Sequence, residues 1–203
     1  AFVAHTDSRF EPEMLLRYLG AYQAVQPLTI GELWAVSVTL RIVLIENLRR
    51  LARQIIENRA ERGAADRLAD RLLGSAGPDT LPIEQVLTSL SDESLSDAFA
   101  VQLLHRLRDQ DPRITPALEW LDSRLAGQDT TADAMVREVH RRQGASNVSV
   151  RNVITSMRLI SDLDWKDLVE ASSLVDGILA AASSFRNMDF PTRNLYRSAV
   201  EQL

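Results

Sequence analysis

The sequence TIGELWAVSVTLRIVLIENLRR, residues 29–50, decides the fold of this chain. Its apolar part without a charged residue, residues 33–40, is much shorter than the ~20 residues that a transmembrane helix needs. Extending that part to Ile45 includes Arg41, and an arginine at the centre of a bilayer costs ~2.5–3.5 kcal/mol. The stretch therefore does not predict a membrane span.

The same stretch predicts a helix that is buried on nearly all sides. At helical spacing, one side carries Trp34, Val38, Ile45, Leu48, Ile55 and Ile56, and the other sides carry Leu33, Val36, Leu40, Val43, Leu44 and Leu51. A helix that is apolar nearly all round is buried by its neighbours. We therefore expect a central core helix.

Signals for helix starts and ends extend along the whole chain. Thr29 and Glu32 have the spacing of a capping box, and the helical pattern that follows them runs to about Gly63. Capping residues and prolines predict other helix starts at Pro12, Pro82, Ser94, Pro116, Asp129 or Thr130, Asn147 or Ser149, Asp164 and Pro191. Glycines predict helix ends at Gly74, Gly127 and Gly144. The helix that Asp164 begins is predicted to run through residue 182.

These signals predict an all-α fold. No stretch alternates apolar and polar residues over several positions, so the chain is predicted to be a bundle of about 8–10 helices without a sheet. In the second half, helix starts recur every ~17–18 residues, and two such helices match the length of tetratricopeptide-type repeats. The repeat consensus is missing, which leaves open whether these helical hairpins stack as a solenoid.

Composition limits the class of protein. The chain has 203 residues, of which 45% are hydrophobic and 25% charged, as in a globular protein with a core. Its net charge of −5, with both signs interleaved, argues against a nucleic-acid-binding surface, and the absence of cysteine excludes disulfides and thiolate metal sites. The sequence begins without methionine, so we expect a piece of a longer polypeptide. We predict one helical domain, residues 1–203, with a subdivision into 1–74 and 81–203 at the linker-like segment GSAGPDT, residues 74–80.

Three polar residues interrupt the opening stretch: Arg41, Glu46 and Asn47. A charge inside a protein core has to be paired. Arg41 and Glu46 are five residues apart, about 140° around the helix axis, so they are poorly placed to pair with each other. We expect interhelical partners for them; a ligand or another domain is the alternative.

Other candidate chemistry is weak. Asp-x-Asp sequences at residues 109–111 and 162–164 look like the metal-binding motif of nucleotide-sugar transferases, but they lie in a predicted turn and at a helix start, where aspartate is a common cap. The histidines do not form a His-Glu-x-x-His pair. We therefore predict no metal site, no cofactor and no catalytic residue. Trp120 and Trp165 are candidates for stacking on sugar rings, although their helical spacing among aliphatic residues favours core positions.

Three blocks of sequence carry a family resemblance: YLGAYQAVQPLTIGELWAVSVTLRIVLIENLRRLA (18–52), NVSVRNVITSMRLISDLDWKDLVEASSLVDGIL (147–179) and MDFPTRNLYRSAVEQL (188–203). They resemble the amino-terminal region of bacterial cyclic β-1,2-glucan synthases, in the same order and at similar spacing. The resemblance spans nearly the whole chain and is weakest between residues 75 and 130.

The resemblance implies a large protein of the bacterial inner membrane. Such synthases use UDP-glucose and a divalent metal to build a protein-linked β-1,2-glucan, which is then cyclised and released, and a phosphorylase-like part controls its length. Their transferase motifs match no residue here. The segment would be a non-catalytic helical scaffold on the cytoplasmic face that contacts other domains of the same polypeptide. The alternatives are a glucan-binding or cyclisation module, with Trp120, Trp165 or arginines lining a groove, and a free-standing helical adaptor that binds proteins.

Overall fold

The fold is all-α, as the helix signals predict. The computed structural model describes residues 1–74, 83–88, 90, 94–108 and 114–201. Ten α-helices and no strand occur in these described residues. The helices are α1 (Phe2–His5), α2 (Pro12–Gln23), α3 (Ile30–Leu72), α4 (Ile83–Thr88), α5 (Asp97–Leu107), α6 (Thr115–Ala126), α7 (Ala132–Asp162), α8 (Trp165–Ser172), α9 (Leu174–Ala182) and α10 (Phe190–Glu201), with a 3-10 turn at Phe185–Asn187.

The predicted capping box begins α3. The Thr29 backbone N–H donates to Glu32 Oε2 at 2.8 Å, and the Glu32 N–H donates to Thr29 Oγ1 at 3.2 Å. The two side chains thus satisfy backbone donors that the first turn of a helix leaves without partners. Asp164 caps α8 in the same way, because its carboxylate accepts from the Lys166 N–H at 2.9 Å.

Two other caps lie one or two residues beyond their predicted positions. Ser96, not Ser94, caps α5 by accepting from the Phe99 N–H at 3.2 Å. Thr131, not Asp129 or Thr130, accepts from the Ala134 N–H at 3.3 Å at the start of α7. Neighbouring hydroxyl and carboxylate residues are similar caps, so composition alone does not choose among them.

The two longest helices continue through glycines at which the sequence predicts that a helix ends. α3 passes Gly63 and ends at Leu72, and α7 passes both Gly144 and the predicted start near Asn147. A glycine inside a helix costs ~1 kcal/mol relative to alanine, which the hydrogen bonds of a long helix on both sides can outweigh. The predictions of ends at Gly63 and Gly144 are therefore wrong.

One predicted helix is divided. Residues 165–182 form α8 and α9 rather than a single helix, because Ser173 adopts an extended conformation with φ −72° and ψ 119°. The Ser173 hydroxyl then accepts from the Asp176 N–H at 3.1 Å and caps α9. A serine that caps the next helix thus ends the previous one.

The chain forms two compact units, each with its own core. Unit 1 comprises residues 1–49 and 148–203, and unit 2 comprises residues 50–147. These bounds fall within α3 and α7. The segment 75–80, predicted to be a linker, and the predicted helix start at Pro82 lie outside the described residues, and the subdivision into 1–74 and 81–203 stays a prediction.

The core of unit 1 joins helices that are distant in sequence. Its buried members include Phe2, Phe10, Leu15, Leu19, Leu40, Leu44, Val153, Ile160 and Leu168. These side chains come from α1, α2, α3, α7 and α8 and from the loop before α2. The core therefore joins the first 44 residues of the chain to residues 153–168.

The core of unit 2 is a separate cluster. Its buried members include Leu68, Leu72, Val86, Leu103, Leu107, Ile114, Leu121, Leu125 and Met135. They come from the second half of α3, from α4, α5 and α6 with the residue before it, and from the start of α7.

The prediction that α3 is buried all round is wrong. In unit 1, α3 buries Leu33, Leu40 and Leu44, but it leaves 54% of Val38, 61% of Ile42 and 56% of Ile45 exposed. Because nearly every side of this helix is apolar, the pattern does not show which sides the rest of the chain covers. A second apolar side of α3 is open to solvent in this chain.

Candidate functional site

The polar residues predicted in the first half of α3 have identifiable partners. The Arg41 guanidinium donates to the Ile160 carbonyl of α7 at 3.2 Å. The Asn47 amide donates to the Ser8 hydroxyl at 2.6 Å. Glu46 accepts two hydrogen bonds from Arg49, one turn along the same helix, at 2.6 and 2.7 Å. Whether these contacts have a role beyond packing stays a prediction.

Asn47 belongs to a polar cluster around the turn after α1. Asp7 and Ser8 have φ values of 47° and 63°, a left-handed conformation that non-glycine residues adopt at a cost. The Ser156 hydroxyl donates to the Ser8 carbonyl at 2.7 Å and accepts from the Phe10 N–H at 2.8 Å. The turn is thus held from α3 and α7, which the sequence does not indicate because Asn47 and Ser156 are 39 and 148 residues away from Ser8.

The most completely buried charge of the described residues is Arg197 of α10, which is 1% exposed. Its guanidinium donates to both oxygens of Asp176 in α9, at 2.8 and 2.5 Å, and to Glu170 of α8 at 2.6 Å. Arg193, one turn earlier, donates to both oxygens of the same Glu170 at 3.0 Å. Two arginines and two carboxylates therefore connect α8, α9 and α10.

Aromatic rings complete the surroundings of Arg197. Its guanidinium carbon lies 5.3 Å from the centroid of the Phe190 ring and 5.7 Å from that of Phe185, within the range of a cation–π contact. Hydrogen bonding to the Asp176 carboxylate raises the pKa of Arg197 above its ordinary value, and the bond to Glu170 acts in the same direction. The arginine is permanently charged and fully paired, which is typical of a structural contact.

The two candidate tryptophans lie in different units. Trp165 of unit 1 is half-buried; its indole N–H donates to the Ile160 carbonyl at 2.8 Å, and its ring lies 6.3 Å from that of Phe10. Trp120 of unit 2 packs against the core of that unit, with the Arg124 guanidinium 5.6 Å from its ring. Sugar stacking at either ring stays a prediction.

Unit 2 contains a cleft of about 680 Å³ between one face of α3 and one face of α7. The face of α3 carries Gln54, Asn58 and Arg62, and the face of α7 carries Gln143 and Asn147. Leu51, Ala98 and Val139 supply apolar surface, and the first residues of α5 form part of the lining. Binding clefts for small molecules typically have volumes of 300–1,000 Å³.

Charge in this cleft is partly neutralised. Arg142 donates to Asp97 at 2.5 Å and to Glu138 at 2.6 Å. Hydrogen bonds from Arg141 and then from Arg142 lower the pKa of Glu138 to about 2. In the part of the chain that the structure describes, seven other polar side chains of the lining make no hydrogen bond or ion pair: Gln54, Asn58, Arg59, Arg62, Gln143, Ser146 and Asn147.

The described residues show no arrangement for metal chemistry. Among them, no three histidine, aspartate or glutamate side chains are placed to hold a metal ion. Of the Asp-x-Asp sequences, residues 109–111 lie outside the described ranges, and Asp164 of the other caps α8. Within these ranges no helix is both long and apolar enough to cross a bilayer.

Comparison with known proteins relates the whole chain to a glucan synthase. No protein-family model matches the chain. Over 202 residues, which are 100% of this chain, it is 33% identical to the cyclic beta-(1,2)-glucan synthase NdvB of Rhizobium meliloti (strain 1021). The chain spans 7% of the length of NdvB. It is therefore related to a small part of that synthase, in agreement with the resemblance of its three sequence blocks.

Proposed function

We propose that this chain is a non-catalytic helical contact domain of a cyclic β-1,2-glucan synthase. The similarity to NdvB over the full length of the chain supports the parentage. The longer polypeptide would be a UDP-glucose-dependent glucosyltransferase of the bacterial inner membrane, with this segment on the cytoplasmic side. Other domains of the same polypeptide are the proposed partners.

The observation that carries the contact role is the exposed apolar side of α3 in unit 1. Val38, Ile42 and Ile45 follow one another at spacings of four and three residues, which places them on one side of the helix, and each is more than half exposed. Exposed apolar side chains that adjoin one another mark interaction surfaces. Arg197 and its two carboxylates, those of Glu170 and Asp176, are paired with one another.

Side-chain footprinting tests the contact role. Hydroxyl radicals should label Ile42 and Ile45 readily in the 203-residue chain and several-fold less in the longer polypeptide, where another domain covers them. Val25, which is 89% exposed at the end of α2, is the matched control and should be labelled equally in both. Equal labelling of Ile42 and Ile45 in the two proteins would contradict the contact role.

A substitution separates contact from folding. Ile42→Glu should leave the free energy of unfolding of the 203-residue chain within ~0.5 kcal/mol, since the side chain is exposed. In the longer polypeptide the same change should reduce glucan synthesis, whereas Val25→Glu should not. Normal synthesis by the Ile42→Glu polypeptide would argue against a required contact at this side of α3.

A further inference from the structure

The cleft of unit 2 is lined along two helices at the spacings by which one helix packs against another. The lining residues of α3 recur every three or four positions: Leu51, Gln54, Ile55, Asn58, Arg59 and Arg62. Those of α7 do the same: Val139, Arg142, Gln143, Ser146 and Asn147. Residues at such spacings share one side of a helix, the side that usually meets a neighbouring helix. The α3 side follows the cleft for three turns, about 16 Å at 1.5 Å per residue.

The side chains along the cleft are partly apolar and largely open to solvent. Leu51 is buried, whereas Ile55, one turn further along α3, is 55% exposed. Val139 adds half-buried apolar surface from α7. The four amides of the lining are all exposed: Gln54, Asn58, Gln143 and Asn147. An open, elongated cleft with apolar side chains between polar ones suits a docked helix, which lays its apolar side into such a groove.

The charge of the cleft favours an acidic partner. Three arginines and one aspartate line it, a net charge of +2, although the whole chain has a net charge of −5. Arg142 is paired with Asp97 at 2.5 Å, so the excess comes from Arg59 and Arg62. Among the residues that the structure describes, these two arginines make no hydrogen bond or ion pair. They are one helical turn apart, so two carboxylates one turn apart on a docked helix would pair with both.

We propose that the cleft of unit 2 receives one amphipathic, acidic helix from another domain of the longer polypeptide. The docked helix places apolar side chains against Leu51, Ile55 and Val139. Its carboxylates lie beside Arg59 and Arg62. Exposed ion pairs add little affinity, so the helix would bind weakly if it were free, whereas a tethered helix is held at a high effective concentration. The choice of the same polypeptide as its source rests on the proposed function.

Photo-cross-linking of the longer polypeptide tests the proposal. A p-benzoylphenylalanine in place of Asn58, an exposed residue of the cleft, should form a cross-link to a helix of the same polypeptide that carries acidic residues beside an apolar side. The same photoreactive residue in place of Arg53, which is exposed on α3 outside the lining, is the positional control. It should not capture that helix.

Two double variants test the role of charge. Arg59→Gln/Arg62→Gln should lower the yield of the cross-link from position 58 at least fivefold, because both partners of the carboxylates are lost. Arg53→Gln/Arg67→Gln removes the same charge from exposed positions of α3 outside the cleft and should leave the yield unchanged. Circular dichroism of the 203-residue chain with each change checks that the helices still form.

A pair of single variants tests the apolar contact in the same way. Ile55→Ser should also lower the yield severalfold, because the docked helix would cover this side chain. Ile56→Ser is the matched control, since Ile56 is 68% exposed and does not line the cleft.

Three outcomes would overturn the proposal: no cross-link from position 58, a cross-link to a separate protein or to a segment without acidic residues, or equal yields in the two double variants. The result is separable from that for the exposed apolar side of α3 in unit 1. Protection of Ile42 and Ile45 in the longer polypeptide without a cross-link from position 58 would remove only the cleft proposal. The cross-link without that protection would remove only the contact at Ile42 and Ile45.

Discussion

At the scale of single residues, Arg197 combines ion pairs with contacts to aromatic rings. It is buried, ion-paired with one carboxylate from α8 and one from α9, and lies beside two aromatic rings. Removing one partner of a buried ion pair leaves the other charge without compensation, which typically costs 3–5 kcal/mol. Without Arg197 the Asp176 carboxylate would be left in this position, whereas Glu170 would keep its ion pair with Arg193.

Arg197→Met is therefore expected to lower the free energy of unfolding by about 3 kcal/mol, as measured by urea denaturation. Methionine fills much of the same volume, so most of the loss reports the stranded Asp176 carboxylate. Arg186→Met makes the same chemical change at an exposed position of the 3-10 turn and should cost less than ~0.5 kcal/mol. A loss below 1 kcal/mol in Arg197→Met would show that the Asp176 carboxylate finds other compensation.

At the scale of single elements, α7 continues through Gly144, which is therefore a solvent-exposed residue in the middle of a helix. A Cβ atom added at Gly144 would meet nothing within 4 Å. Gly144→Ala should therefore raise the free energy of unfolding by ~0.5–1 kcal/mol, through helix propensity and the reduced freedom of the unfolded chain. Thermal or urea unfolding of the variant measures the change.

Gly74 is the matched control for this substitution. Its φ of 72° lies in the left-handed region, where alanine is strained, so Gly74→Ala should destabilise the chain instead. If Gly144→Ala were also destabilising, residue 144 would have to adopt a non-helical backbone conformation. That is the helix end that the glycine predicts from the sequence.

Sequence signals predict elements well where the determinant is local. The Thr29–Glu32 capping box, Asp164 as the cap of α8 and Pro116 in the first turn of α6 each involve neighbouring residues only. The length of α7 is different, because a single glycine changes helix stability by less than the surrounding turns contribute. The break between α8 and α9 at Ser173 cannot be predicted from the neighbouring residues either, since serine occurs both within helices and at caps.

At the scale of the whole molecule, the two cores predict two separable responses to core substitutions. Leu121 is fully buried in the core of unit 2, and Leu15 is 1% exposed in the core of unit 1. Replacing a buried leucine by alanine costs 2–5 kcal/mol through lost transfer energy and the remaining cavity. Each loss should fall mainly on the unit that contains the leucine.

Native-state hydrogen exchange tests this expectation. Leu121→Ala should accelerate amide exchange in α5 and α6 more than in α2 and α8, and Leu15→Ala should do the reverse. The two variants are matched because both remove the same atoms from a buried site. Equal acceleration of all four helices by either variant would show that the chain opens as one cooperative unit.

The candidate sites depend on this tertiary organisation, which is why the sequence predicts them poorly. Asn58 and Gln143 are 85 positions apart and line one cleft only because the fold of unit 2 places α3 and α7 on its two sides. The sequence does not indicate that Arg197 is buried either, because an arginine in an amphipathic helix is usually solvated. For α3, the pattern reports strong apolarity on every side, but the covered sides are set by the helices that pack against it.

The arginine cluster of unit 1 also has an evolutionary consequence. Positions 170, 176 and 197 form one electrostatic unit, although they span 27 residues of sequence. A lineage that first loses Arg197 carries an uncompensated Asp176 carboxylate, and one that first loses Asp176 leaves two arginines sharing Glu170. The ion-pair geometry therefore favours substitutions in which positions 176 and 197 change together over those in which either changes first.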